Sequence, residues 1–279
     1  MTSLIRASDL AAKLQDPNLV LLDVRWSLGA TDNREKYQAG HIPAARFVDL
    51  ETDLSGTPGE HTGRHPLPLP EDFQAAARRW GINDQSTVVV YDDAGSMAAA
   101  RAWWLLRHAG FPRVLVLDGG LQAWREAKCI LSTQSPVPEP GTVTLSWGAL
   151  PVLEMAELED FDGVLIDSRA TARYLGVEEP VDPVAGHIPG ALNRPTTDNL
   201  DDSARFKPAQ TLREGFARLG VEPGGTPPAA YCGSGITAAH QVLALHEAGI
   251  EAALYPGSWS QYCSYPQNPV ATSDEIHRS

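Results

Sequence analysis

Four short words each occur twice in this 279-residue chain, in the same order. LLDVR at residues 21–25 returns as VLIDSR at 164–169, and AGHIPAA at 39–45 returns as AGHIPGA at 185–191. VVYDDAGSMAAARAWWLLRHAG at 89–110 returns as AAYCGSGITAAHQVLALHEAG at 229–249, and VLDGGLQAW at 116–124 as ALYPGSWSQY at 253–262. Ordered matches at similar spacing make the chain a tandem duplication of one unit, with halves at 1–131 and 146–279. Residues 132–145 join them; STQSPVPEPGTVT holds three prolines and favours an extended, semi-rigid form.

Within each half, short apolar runs alternate with helical patterns, which predicts an α/β unit with an open, mostly parallel sheet covered by helices on both faces. In the first half, residues 18–24, 87–91 and 114–117 read as strands, and residues 71–80 and 97–109 as helices stopped by Gly81 and Gly110. Residues 49–70, crowded with glycine, proline and threonine, read as one long irregular segment containing GRHPLPLP. A formal charge of −13 gives nucleic acid or an anionic membrane no reason to approach, so any anionic substrate needs a local basic group. No run approaches the length of a membrane span and no leader pattern opens the chain. Three scattered cysteines suit a reducing compartment, so the cytoplasm is expected.

Residues 229–249 carry the chemistry. They read as the end of a buried strand, a glycine turn holding Cys232, and a helix from near Ile236 to Gly249. A cysteine there lies at the edge where open α/β sheets keep ligands. The turn can present several N–H groups inward, and with the helix dipole these favour a thiolate and a neighbouring anion. The bland alternative is a small buried apolar residue. A cysteine phosphatase would need arginine six places on, where this chain has Ala238, and there is no nucleotide-binding GxxxxGK. The first half has Asp92 and Asp93 in this place, harder groups than a thiol, so that half is expected to be catalytically silent.

The stretch resembles the active-site loop of the rhodanese superfamily, and CGSGIT resembles the loop of its mercaptopyruvate-using branch. The thiosulfate-preferring branch has arginine and lysine where this chain has Gly233 and Ser234. The resemblance spans nearly the whole chain. It implies a sulfurtransferase that carries sulfur as a Cys232 persulfide, from 3-mercaptopyruvate or thiosulfate to cyanide, a thiol or thioredoxin. No metal or organic cofactor is implied. Gly233, Gly235, Ile236 and Thr237 would line the anion loop. Ser234 would join a relay with a first-half carboxylate, and counting from His41 puts Glu51 there. His65 matches a histidine of the same relay region. Arg173, in ATARYLG, matches a substrate-binding arginine whose fork suits a carboxylate. The usual second arginine is Asp182 here, and Arg194 in LNRPT is a candidate substitute.

The remaining repeated residues read as structural. His41 and His187, with the pairs Asp23–Arg25 and Asp167–Arg169, occur in both halves, and Trp124 and Trp259 read as core anchors. Cys129 and Cys263 have no companion metal ligands. The competing reading is a non-catalytic rhodanese-like module that binds partners or senses oxidants.

Overall fold

The computed structural model of the chain describes residues 2–272. It divides into two compact units: Met1–Gly56 with Leu67–Leu150 and Asp202–Phe206, and Thr57–Pro66 with Pro151–Asp201 and Lys207–Ser279. Two segments thus cross over, and Thr57–Pro66 joins the unit that contains Cys232.

In the first unit, β1 (Leu4–Ile5) and α1 (Ala7–Ala11) precede β2 (Leu19–Asp23), α2 (Asn33–Ala39), β3 (Arg46–Phe47), α3 (Leu50–Asp53) and α4 (Pro70–Arg79). After them come β4 (Thr87–Tyr91), α5 (Met97–His108), β5 (Val114–Leu117) and α6 (Gly120–Glu126). The sheet is parallel throughout, in the order β1-β5-β4-β2-β3. The second unit holds β6 (Leu165–Asp167), α7 (Thr171–Tyr174), β7 (Leu192–Asn193), α8 (Ala209–Ala217), β8 (Ala229–Tyr231), α9 (Ile236–Glu247), β9 (Ala253–Leu254) and α10 (Ser258–Tyr262). Its sheet, also parallel, runs β7-β6-β8-β9.

Parallel strands buried on both faces must be apolar throughout, which is why VLL, VVV and AAY register as strands. Helix α5 has ten buried residues among its twelve and α9 nine, so both are apolar around most of their circumference and lie in the interior. By contrast, α2 buries only Tyr37. Its sequence NREKYQA has no apolar stripe, and the stretch after Arg25 therefore reads as a plain loop although it folds as a helix. Residues of the proline-rich segment lie along the first unit: Gly141 and Val143 donate backbone hydrogen bonds to the Arg78 and Ile82 carbonyls.

Each unit is tied by the same buried set. Arg25 forks onto Asp23 and reaches the Gly40 carbonyl; Arg169 forks onto Asp167 and reaches the Gly186 carbonyl. His41 stacks on Tyr37 with ring centroids 3.9 Å apart, and His187 on Tyr174 at 3.7 Å. In each case a ring nitrogen lies against the tyrosine carbonyl. Trp124 and Trp259 are fully buried, each donating its indole N–H to a backbone carbonyl. The two imidazoles and two indoles thus have structural work in both copies.

Removing one member of a buried ion pair strands the other charge, at a cost of about 3–5 kcal/mol. Asp23→Ala is therefore expected to lower stability by about that much in urea unfolding, whereas a loss below about 1 kcal/mol would show that the pair does not hold the unit.

Candidate active site

Strand β8 lies between β6 and β9, so its carboxyl end opens at the middle of the sheet edge. The chain leaves it at Cys232, turns through Gly233, Ser234 and Gly235, and enters α9 at Ile236. Gly235 caps the helix at φ +82°, a left-handed conformation that glycine adopts without strain. A Cβ at that position would overlap the Pro256 carbonyl. This conformation lets the Gly235 N–H donate to Cys232 Sγ at 3.1 Å. The loop is clamped from outside as well. Ser258 Oγ accepts from the Cys232 N–H, and Trp259 and Ser260 donate to the Cys232 and Gly233 carbonyls. Cys232 is buried, and its sulfur accepts the Gly235 N–H at the N-terminus of α9.

The first unit has the same device filled differently. Asp92 follows β4, and its carboxylate accepts from the N–H groups of Ala94, Ser96, Ala98 and Ala99. Burial pushes its carboxyl above the ordinary range, with those amide donors opposing. The loop binds its own carboxylate, which gives a physical reason for it to be silent.

Thr57–Pro66 brings two side chains to the cysteine loop. His65 Nδ1 and Ser234 Oγ are 2.7 Å apart, both side chains being buried. Beside them, Arg64 Nη2 and Arg173 Nη1 lie 3.0 and 3.4 Å from the point where a side chain would start at Gly233. Both guanidiniums share Asp182: Arg64 Nη1 pairs with its Oδ1 and Arg173 Nη2 with its Oδ2. Arg173 also forks onto Glu179, which reaches Arg169 in turn. Position 182, where a second arginine is expected by resemblance, thus carries an acid that holds an arginine from another segment. Arg64 Nε is buried without an acceptor among the described residues.

Sequence reasoning did not nominate Arg64, Glu179 or Asp182 as site members. The first was legible only as the cation beside His65 in an acidic chain. Ile236 and Thr237 form the first turn of α9. Arg194 is engaged elsewhere: it donates to Asn199 Oδ1 and lies 4.6 Å over the Phe216 ring. Glu51 is in the first unit, on α3, where its carboxylate accepts from the Trp26 indole at 2.8 Å. Among the described residues no group of three or more His, Cys, Asp or Glu side chains could hold a metal ion, and no helix is long and apolar enough to cross a membrane.

The rhodanese-like domain family matches residues 6–127 and again 152–265. The chain belongs to the rhodanese family. Among curated rhodanese relatives, the probable 3-mercaptopyruvate sulfurtransferase of Pseudomonas aeruginosa is 43% identical over 279 residues, 97% of this chain and 98% of that one. The putative thiosulfate sulfurtransferase SseB of Mycobacterium tuberculosis is 43% identical over 274 residues, 96% of each. Among solved structures, the 3-mercaptopyruvate sulfurtransferase SseA of Escherichia coli superposes with a TM-score of 0.80 at 32% identity, covering 93% of this chain and all of that one.

Two outcomes follow from this rhodanese loop. Gly235→Ala is expected to strain the turn, misplace the N–H aimed at Cys232 and lower the sulfur-loading rate by about tenfold or more; a variant loading at the wild-type rate would show that the turn is not needed. The second concerns acid. Burial alone would raise the Glu179 carboxyl, but the bond from Arg173 and the amide donors outweigh it and leave the pKa below the ordinary 4.5. The stabilisation is thus fully present above that value and is lost as pH falls through the lower folded value. Glu179→Gln is expected to remove that part of the acid unfolding limb, and an unchanged limb in circular-dichroism titration would contradict it.

Proposed function

We propose that this tandem rhodanese is a sulfurtransferase that loads sulfur from a small anionic donor onto Cys232 and passes it to a thiophilic acceptor. The observation that carries the reading is one loop holding a buried cysteine sulfur on an amide donor, a serine–histidine contact and two guanidiniums at Gly233. The Cys232 thiolate attacks the thiol sulfur of 3-mercaptopyruvate. The carbon–sulfur bond breaks, its electron pair goes to carbon, and the donor's sulfhydryl proton ends on that carbon, giving pyruvate and a Cys232 persulfide. Ser234 and His65 are the groups placed to carry that proton. A thiolate, thioredoxin or cyanide then takes the outer sulfur and the Cys232 thiolate returns. Splitting the transfer in two lowers each barrier.

The two relatives of equal identity carry different donors in their names, so the donor is argued from charge. Arg64 and Arg173 are balanced by Asp182 and Glu179, which leaves no surplus positive charge for dianionic thiosulfate. The cluster still offers N–H donors, among them Arg64 Nε, to a single carboxylate. That favours 3-mercaptopyruvate. Arg194 is assigned here to its Asn199 and Phe216 contacts, and Glu51 is kept as the first-half carboxylate of the relay. The cysteines Cys129, Cys232 and Cys263 are free, in keeping with a reducing cytoplasm. A non-catalytic or oxidant-sensing module would need none of the paired cations at Gly233.

Mass spectrometry after incubation with each donor is expected to place one added sulfur on Cys232 and none on Cys263, whose thiol burial pushes up to about 11. Cys232→Ser should abolish loading, and Arg64→Met should raise the KM for 3-mercaptopyruvate by roughly ten- to a hundredfold with little change in kcat. Sulfur on Cys263 or Cys129 would overturn the cysteine assignment. An unchanged KM in Arg64→Met would remove the arginine from the donor site, and a wild-type kcat/KM favouring thiosulfate would overturn the donor.

A further inference from the structure

The first unit contains a basic cavity that the sulfur chemistry does not use. It encloses about 380 Å³ and is lined by Arg34, Arg46 and Arg79, with Phe47, Trp80 and Pro138 among its apolar walls. Two carboxylates also line it: Asp53 is paired with Arg79, and Asp49 keeps its charge, which leaves the three arginines one positive charge in excess. Asp49 accepts from the backbone N–H groups of Glu51 and Thr52, capping α3, while Asp53 takes the Arg79 guanidinium at 2.7 Å and the Asp49 N–H. Arg34 lies 4.5 Å over the Phe47 ring, and neither it nor Arg46 has a carboxylate partner among the described residues. Arg46 is the odder of the two. Its Nε and Nη1 are buried and without an acceptor among the described residues, and desolvation pulls its pKa down, with Tyr37 opposing.

Comparison of the two halves shows that the fold does not ask for this arginine. In AGHIPAARF and AGHIPGALN, Arg46 corresponds to Leu192; both stand first in a two-residue edge strand, β3 or β7. An apolar residue therefore satisfies the strand, and a half-buried guanidinium there is a burden unless an anion meets it. Two guanidiniums without a carboxylate partner among the described residues match a dianion better than a single carboxylate, Arg34 with its whole exposed fork and Arg46 with its Nη2 edge, the part of it that is not buried. The cavity falls in the size range of small-molecule sites and exceeds what a bare phosphate fills, and its remaining wall mixes Trp80, Phe47 and two prolines with the polar groups of Tyr37, Gln38, Thr52 and Ser135.

We propose that this cavity is a second ligand site, which takes the phosphate dianion of a small molecule on Arg46 and Arg34. The phosphoryl group lies between the Arg34 fork and the Nη2 edge of Arg46, and the organic body, where there is one, against Trp80 and Pro138. The site stands independently of Cys232.

Calorimetric titration of the full chain at fixed ionic strength, with inorganic phosphate in one arm and adenosine monophosphate in the other, tests it. Wild type is expected to bind phosphate in at least one arm; tighter binding of the nucleotide assigns the ligand an aromatic body, and equal binding assigns it to free phosphate. Arg46→Leu and Arg34→Met should each weaken binding by about tenfold or more while persulfide loading at Cys232 is unchanged. Without phosphate, Arg46→Leu should melt no lower than wild type, and phosphate should raise the melting temperature of wild type but not of the variant. No binding in either arm, affinity retained in both variants, or a phosphate-free Arg46→Leu melting well below wild type would each overturn the proposal, the last because it would mean that the guanidinium is already satisfied within the fold.

Discussion

Inward-facing backbone N–H groups between a central strand and a helix require an acceptor, and that requirement organises both halves. An unpaired buried N–H costs about 1–3 kcal/mol, so a turn that gathers several of them is stable only around an acceptor, above all an anion. The first unit supplies the anion from its own chain, as the Asp92 carboxylate on four amides. In the second unit a cysteine stands there, shorter than aspartate and reached by one amide at 3.1 Å. A sulfur added to that cysteine would extend the side chain in the direction of the following helix N–H groups, where in the first unit the carboxylate reaches Ala98 and Ala99. The first copy thus shows within one molecule an anion held by the amides of the turn that Cys232 occupies in the second.

An anion-seeking loop in a chain of charge −13 needs cations near it that do not attract every anion. The arrangement at Gly233 meets this by neutralising its arginines in place. Asp182 and Glu179 hold Arg64 and Arg173 in fixed orientations, so the site contributes directed N–H donors rather than net charge. Buried charge networks of this kind add little to stability compared with apolar packing of the same volume. Their value lies in orientation, because the forks need not reorganise when a carboxylate arrives.

Much of this was legible in the sequence because it is local. The parallel strands, the glycine turn, the helix after Cys232 and each word of the duplication are written in fewer than about twenty-five consecutive residues, and periodicity with glycine placement reads such segments well. Helix α2 was not legible because it buries one residue and shows no apolar face. The site's second cation was not legible for a different reason. Arg64 and Asp182 are 118 positions apart and meet only because Thr57–Pro66 leaves the half in which it is encoded and packs with the other. The resemblance expects an arginine at 182; an aspartate stands there and pairs with Arg64, so the cation comes from a different segment.

The same comparison of halves explains why the first loop could not become reactive by exchanging one residue. Between Tyr91 and Met97 it has one residue more than the stretch between Tyr231 and Ile236, and it turns through two left-handed residues, Gly95 and Ser96, where the second loop uses Gly235 alone. Ser96 is not glycine, and its buried hydroxyl has no acceptor among the described residues, so this turn carries strain that its four bonds to Asp92 offset. Replacing Asp92 by cysteine would withdraw those bonds and leave the strain. It would also leave Asp93 where the second loop has Gly233, and the silent copy has no counterpart of the Ser234 hydroxyl, since Ala94 stands there. The difference between the two loops therefore rests on the whole turn, in which residue 92 or 232, its amide donors and the space beside it are set together.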